Sequence, residues 1–269
     1  MYYGVSHQYW GLDKQALSVP EFAGNLGSDC LTDKELPKAC VYKDFNFSKT
    51  VLLFGDSYAA QISQAVADAA KNQKWNSVVW KANGCYILSA SRIEEDTNKS
   101  GITSNCIQAN HLARNWIDKN KPDLIIISQY TRNTMPLDDI KLALIELQGM
   151  ASHVLLIENI PVFPDNKTFM ISRPISQQLF SSGVAFPKFV LESEMDNSNS
   201  NASDLLSNWA VDNGIPTIDF RDIFCKSGVC TRFLPNVGWL YKDVDHLSVD
   251  GAQLTTSQIE SFLKGVKVN

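Results

Sequence analysis

The chain has 269 residues, 44% hydrophobic and 20% charged, enough to bury one large core with appendages. A net charge of −5, a pI near 5.4 and no basic cluster beyond two or three residues leave a nucleic-acid or anionic-membrane partner without electrostatic support, so no nucleic acid is expected to bind. The longest apolar runs, residues 51–54 and 124–127, fall far short of the roughly 18 to 20 residues of a membrane span.

Residues 1–49 lack a regular hydrophobic period, are rich in aromatics (Tyr2, Tyr3, Tyr9, Trp10) and read as an irregular N-terminal extension or linker. No signal-peptide pattern stands at Met1, so an extracytoplasmic location would make the chain part of a larger protein whose targeting element lies elsewhere. From residue 50 to 269 a catalytic domain is expected. Strand-like runs at 50–54, 77–81, 123–128, 153–158 and 216–220 alternate with helical patterns following Ser57 and over 105–120, 137–150, 202–213 and 249–264, the last capped by Ser248. This alternation predicts an α/β fold, a three-layer α/β/α sandwich around a central parallel sheet, with the ligand site at the carboxyl ends of the strands. Residues 91–105 and 192–203 are polar and read as long surface loops.

Six cysteines allow fifteen pairings, and proximity favours Cys30 with Cys40, Cys85 with Cys106, and Cys225 with Cys230. Disulfides would place the chain in an oxidising compartment; the alternative is six buried thiols in a reducing one. No spacing matches a zinc motif, and neither a metal nor a cofactor is expected.

The strongest local signal is Gly55-Asp56-Ser57, where an apolar strand turns directly into a helix and presents a serine hydroxyl at the strand's carboxyl end. The Ser57 amide, at a helix start, can donate to a developing oxyanion. Of four histidines, His7 lies in the extension, His111 within an amphipathic helix and His153 at the start of a strand, whereas His246 lies just before the last helix. Asp243, three residues earlier, can reach one imidazole nitrogen while the other faces Ser57; Asp243 rather than Asp245 is expected to orient the ring.

With Gly55-Asp56-Ser57 and Asp243-x-x-His246 in this order, the chain resembles the SGNH, or GDSL, hydrolases. The resemblance is closer to the SGNH domain fused behind the membrane acyltransferase-3 domain of bacterial envelope-sugar acetyltransferases, O-antigen acetyltransferases among them. Leu247-Ser248-Val249-Asp250-Gly251-Ala252 matches that group, as does the Cys225 and Cys230 pair, while Tyr58 stands where a histidine is usual. The resemblance spans about residues 50–265 and implies a flavodoxin-like fold, an acyl-serine on Ser57, His246 as general base and Gly84 as a second oxyanion donor beside Ser57. The family's Gly-x-Asn-Asp block is replaced by Ser128-Gln129-Tyr130-Thr131-Arg132-Asn133, leaving Gln129, Arg132, Asn133 or backbone amides alone as the remaining donor. It further implies O-acetyl transfer to an envelope polysaccharide in the periplasm, with the acetyl donor delivered by a membrane acyltransferase-3 domain of the same polypeptide. A free-standing carbohydrate esterase and a non-catalytic glycan-binding domain are the alternatives.

Overall fold

The computed structural model describes residues 31–32, 39–44, 46–94, 102–164, 188–197 and 200–266. Its centre is a seven-stranded sheet in the order β1-β2-β4-β3-β5-β6-β8, built from Leu31–Thr32 (β1), Cys40–Tyr42 (β2), Lys49–Gly55 (β3), Trp75–Lys81 (β4), Leu124–Ser128 (β5), His153–Ile157 (β6) and Thr217–Ile218 (β8). β4, β3, β5, β6 and β8 run parallel, with Leu52 opposite both Val78 and Ile125. β2 pairs antiparallel with β4, and β1 with β2, so the extension contributes two short strands to one edge.

The parallel strands read as continuous apolar runs because both faces are covered. Val51, Leu53, Leu124 and Ile126 join a core with Val66 and Ala69 of α2 (Ser63–Asn72) and Ile259 and Leu263 of α9 (Thr256–Gly265). Leu52, Phe54, Ile125 and Ile127 point the other way, onto α4 (Ser104–Asn120), α5 (Leu137–Gln148) and α6 (Ser200–Asp212). The expected three layers and mostly parallel sheet are therefore present.

Both helices bordering the expected catalytic residues are divided. Ser57–Gln61 (α1) ends at Ile62, where ψ rises from the helical range to 6°, before α2 begins. The C-terminal helix splits into Val249–Gln253 (α8) and α9, where Thr255 donates its hydroxyl to the Ala252 carbonyl and bends the chain.

Within the region read as a loop over 91–105, Ala90–Glu94 forms a short helix (α3), and residues 95–101 lie outside the described residues. In the second loop, Glu192–Glu194 is a 3-10 turn and α6 starts at residue 200. Two small sheets add to the expected fold. Phe189–Leu191 (β7), Cys225–Lys226 (β9) and Val229–Thr231 (β10) form one, next to the short helix Arg221–Phe224 (α7); Phe233–Leu234 (β11) and Gly238–Trp239 (β12) form the other. Cys85–Cys106 and Cys225–Cys230 are disulfides as expected; Cys40 is also disulfide-bonded, and its expected partner Cys30 lies outside the described residues.

Candidate active site

The parallel strands follow the order second-first-third-fourth-fifth, so neighbouring connections leave in opposite directions between β3 and β5, where a crevice opens in sheets of this kind. Ser57 leaves the end of β3 on one side of that crevice, and Gln129 to Arg132 leave the end of β5 on the other. Gly55 is required by close approach: a Cβ there would lie 1.7 Å from the Ser128 carbonyl oxygen. Asp56 caps α1, accepting from the Tyr58 amide at 2.8 Å and, with its other oxygen, from the Tyr130 amide at 3.0 Å. One buried carboxylate thus ties the serine turn to the loop after β5. Burial pushes the Asp56 carboxyl above its ordinary value, against these two amide bonds and the positive charges of His246 and Arg132.

His246 reaches Ser57 from the loop before α8. Its Nε2 lies 3.0 Å from Ser57 Oγ, and its Nδ1 lies 3.1 Å from each carboxylate oxygen of Asp243. Asp243 also builds the turn, because its Oδ1 accepts from the amides of Asp245 and His246 at 3.1 and 2.7 Å. Asp243 does not face the imidazole alone: Asp245 Oδ1 is also 3.1 Å from Nδ1. The i to i+3 spacing singled out Asp243, and adjacency along the chain gave no sign that the Asp245 side chain would turn back onto the same nitrogen.

Burial by itself would lower the imidazole pKa, but hydrogen bonds and charge from Asp243 and Asp245 outweigh it and raise His246 to about 10. Burial raises the Asp243 carboxyl, and the His246 hydrogen bond and charge more than reverse this, leaving it below its ordinary value. Asp243, Asp245 and His246 are also the one group among the described residues with three potential metal-ligand atoms within 4.8 Å of one another.

The loop is locked in place by further residues, of which Gln61 carried no signal in the sequence. Gln61, buried in α1, accepts the Leu247 amide at 2.7 Å, so the helix that begins at Ser57 holds the His246 loop. Ser248 caps α8 through the Gly251 amide, as expected. A Cβ on Gly251 would lie 1.9 Å from the Leu240 carbonyl oxygen, which explains a glycine in Leu247-Ser248-Val249-Asp250-Gly251-Ala252. Tyr58 turns into the core and stacks on Tyr130 at 4.9 Å, its ring edge-on to His246 at 6.0 Å.

Gly84 lies in the turn after β4 with φ +75°, a conformation that favours glycine, and the Cys85–Cys106 disulfide staples this turn to the first turn of α4. Gln129 is buried and its Oε1 accepts the Ile87 amide at 2.9 Å, bracing the same segment. Asn133 turns away, accepting from the Ala202 amide of α6, while Arg132 is exposed with its guanidinium 4.9 Å from the Tyr130 ring. His111 is on α4, where its Nδ1 meets the Asn115 amide group, and His153 opens β6; neither is in the site.

The sequence matches the family described as the SGNH domain fused to AT3 domains over residues 29–261, so the chain belongs to that family. Among solved structures, it is similar to the periplasmic domain of a lipopolysaccharide acetyltransferase from Salmonella ser. Paratyphi A, with 17% identity, 81% of this chain and 85% of that one covered, and a TM-score of 0.61. That likeness shows the fold. The catalytic domain of peptidoglycan O-acetyltransferase A from Streptococcus pneumoniae matches at 14% identity over 81% and 94% of the two chains, TM-score 0.42. An acetylxylan esterase from Geobacillus stearothermophilus matches at 11% identity over 82% and 96%, TM-score 0.43. A comparison with curated proteins finds no match. No helix among the described residues is long and apolar enough to cross a membrane.

Proposed function

We propose that this chain is an O-acetyl-transferring domain that carries an acetyl group on Ser57 and passes it to a hydroxyl of an envelope polysaccharide such as O-antigen, in the periplasm. The acetyl group would be delivered by an AT3 membrane domain of the same polypeptide, the arrangement for which the family is described. The observation that carries this reading is the Ser57 Oγ to His246 Nε2 contact at 3.0 Å, with Asp243 on the far side of the ring, at the strand ends of this fold.

In the first half-reaction, His246 Nε2 takes the Ser57 proton as Oγ attacks the acetyl carbonyl carbon. The oxyanion accepts from the backbone amides of Ser57 and Gly84. Collapse breaks the bond to the leaving group, which departs with the proton from His246. In the second half, a glycan hydroxyl gives its proton to His246 and attacks the acetyl-serine, and collapse returns the proton to Ser57. Asp243 holds the ring with Nδ1 protonated and stabilises the imidazolium. Water in place of the glycan hydroxyl gives ester hydrolysis by the same steps.

The test is to follow acetyl groups from p-nitrophenyl acetate with and without an O-antigen oligosaccharide. Acetylated sugar formed at the expense of free acetate supports transfer. Acetate release that the acceptor leaves unchanged would assign an esterase instead, and no turnover at all would point to a binding domain.

A further inference from the structure

Beside Gly84 is a cavity of about 550 Å³ with Tyr86, Arg92, Thr103, Arg132 and Thr134 among its walls, and no carboxylate of the described residues lines it. Two arginines facing one cavity are notable in a chain of net charge −5. Arg132 has no ion pair among the described residues; its guanidinium is held by stacking 4.9 Å from the Tyr130 ring. Tyr130 in turn stacks on Tyr58, which meets the His246 ring, so a continuous ladder of rings ties Arg132 to the catalytic histidine. The buried Asp56 carboxyl feels the charge of both His246 and Arg132. Thr103, also in the wall, is the N-cap of the 17-residue helix α4, whose positive end adds to the field.

We propose that this cavity is an acceptor subsite for an acidic sugar residue, with the Arg132 guanidinium pairing with the sugar's anionic group. The proposal rests on the acetyl-transfer reading and specifies the class of acceptor: a glycan bearing carboxylate or phosphate close to the hydroxyl that is acetylated. A guanidinium fork matches the paired oxygens of either anion, and one already ordered against an aromatic ring loses little freedom on binding. Gly84 links the two functions, since the same turn walls the cavity and supplies the proposed oxyanion amide. An acceptor anchored at Arg132 would lie against the side of the site from which the acetyl carbonyl is held.

The 269-residue chain carrying Ser57→Ala, which prevents turnover, is titrated calorimetrically at low ionic strength with trigalacturonate, with its carboxyl-reduced neutral counterpart and with maltotriose phosphate. The expected result is binding of at least one anionic sugar on the order of tenfold tighter than the neutral one. Adding Arg132→Gln should bring that ratio to near one, and Arg132→Lys should restore it only in part. Arg132 is exposed, so circular dichroism and the unfolding midpoint should show both variants folded. Preference for phosphate over carboxylate supports the same subsite and identifies its anion. Equal or absent binding of all three sugars, or a preference that survives Arg132→Gln, overturns the proposal. So does acetyl-CoA binding that is lost in Arg132→Gln, because the cavity would then hold a donor's phosphates. If Ser57 in the unaltered chain takes up acetyl while the sugars show no anion preference, the subsite fails and the transfer reading stands.

Discussion

At the scale of single residues, two carboxylates on one imidazole nitrogen make specific predictions. With His246 held at about 10, its base form is a small fraction at neutral pH, on the order of one part in a thousand. Hydrolysis of p-nitrophenyl acetate should therefore keep rising with pH beyond 9, and Asp245→Asn should move that limb to lower pH by about a unit or more. A plateau already reached near pH 7 in the unaltered chain would contradict this. Asp243→Asn should cost less than the ~10⁴-fold expected of a triad with a single carboxylate, because Asp245 remains at Nδ1, and Asp243→Asn with Asp245→Asn should be far worse than either alone. The same groups set a stability signature. His246 is raised in the fold, so its contribution is full below its ordinary value of 6.5 and is lost as pH climbs through about 10. Asp243 is lowered, so its contribution is present above 3.8 and is lost as pH falls through its folded value. Ser57, His246 and Asp243 were legible because strand, turn and chain order constrain where each can go. Asp245 and Gln61 were not, because side-chain direction in a loop and a contact across 186 residues leave no local pattern.

At the scale of elements, the site depends on backbones brought unusually close and on one covalent staple. Gly55→Ala would drive a Cβ into the Ser128 carbonyl, forcing β3 and β5 apart at the crevice; a loss of about 2 to 4 kcal/mol in denaturant unfolding is expected, together with a fall in activity. An unchanged midpoint would mean that the two strands are not held at this distance. The Cys85–Cys106 disulfide anchors the Gly84 turn to α4, so Cys85→Ser with Cys106→Ser should lower turnover of an acetyl ester and destabilise the chain by roughly 2 to 4 kcal/mol. Full turnover in that variant would remove the staple from the account of the oxyanion donor. The five parallel strands and the long helices were readable because their apolar runs and helical periods are extended. The two small sheets were not: each of their strands is two or three residues long and pairs through contacts distant in the chain, too short for any period to register. Likewise, the break at Thr255 depends on one hydroxyl choosing a carbonyl, which apolar periodicity does not record.

At the scale of the whole molecule, the chain supplies a sheet whose strand order opens a crevice at Ser57, a disulfide-braced turn at Gly84, and an arginine-lined cavity beside it. It shows no glycine-rich phosphate loop and no run of basic residues for a nucleotide donor, so acetyl-CoA should bind weakly if at all by calorimetry, while activated acetyl esters are turned over. Tight acetyl-CoA binding would replace delivery by a membrane domain with a self-sufficient transferase. Membership of the AT3-fused SGNH family is consistent with the paired cysteines and the strand-end serine, both visible in the sequence; the cavity that Gly84, Arg92 and Arg132 line draws on separate segments, and only the folded chain brings them together. That Ser57, activated by His246, carries the acetyl group is the step on which the proposed transfer rests. It is tested most directly by mixing the chain with p-nitrophenyl acetate, quenching in acid within a turnover and mapping peptides by mass spectrometry. One acetyl group is expected on Ser57 and none when His246 is replaced by Ala; acetyl found on another residue, or on Ser57 equally in the His246→Ala chain, would contradict the account.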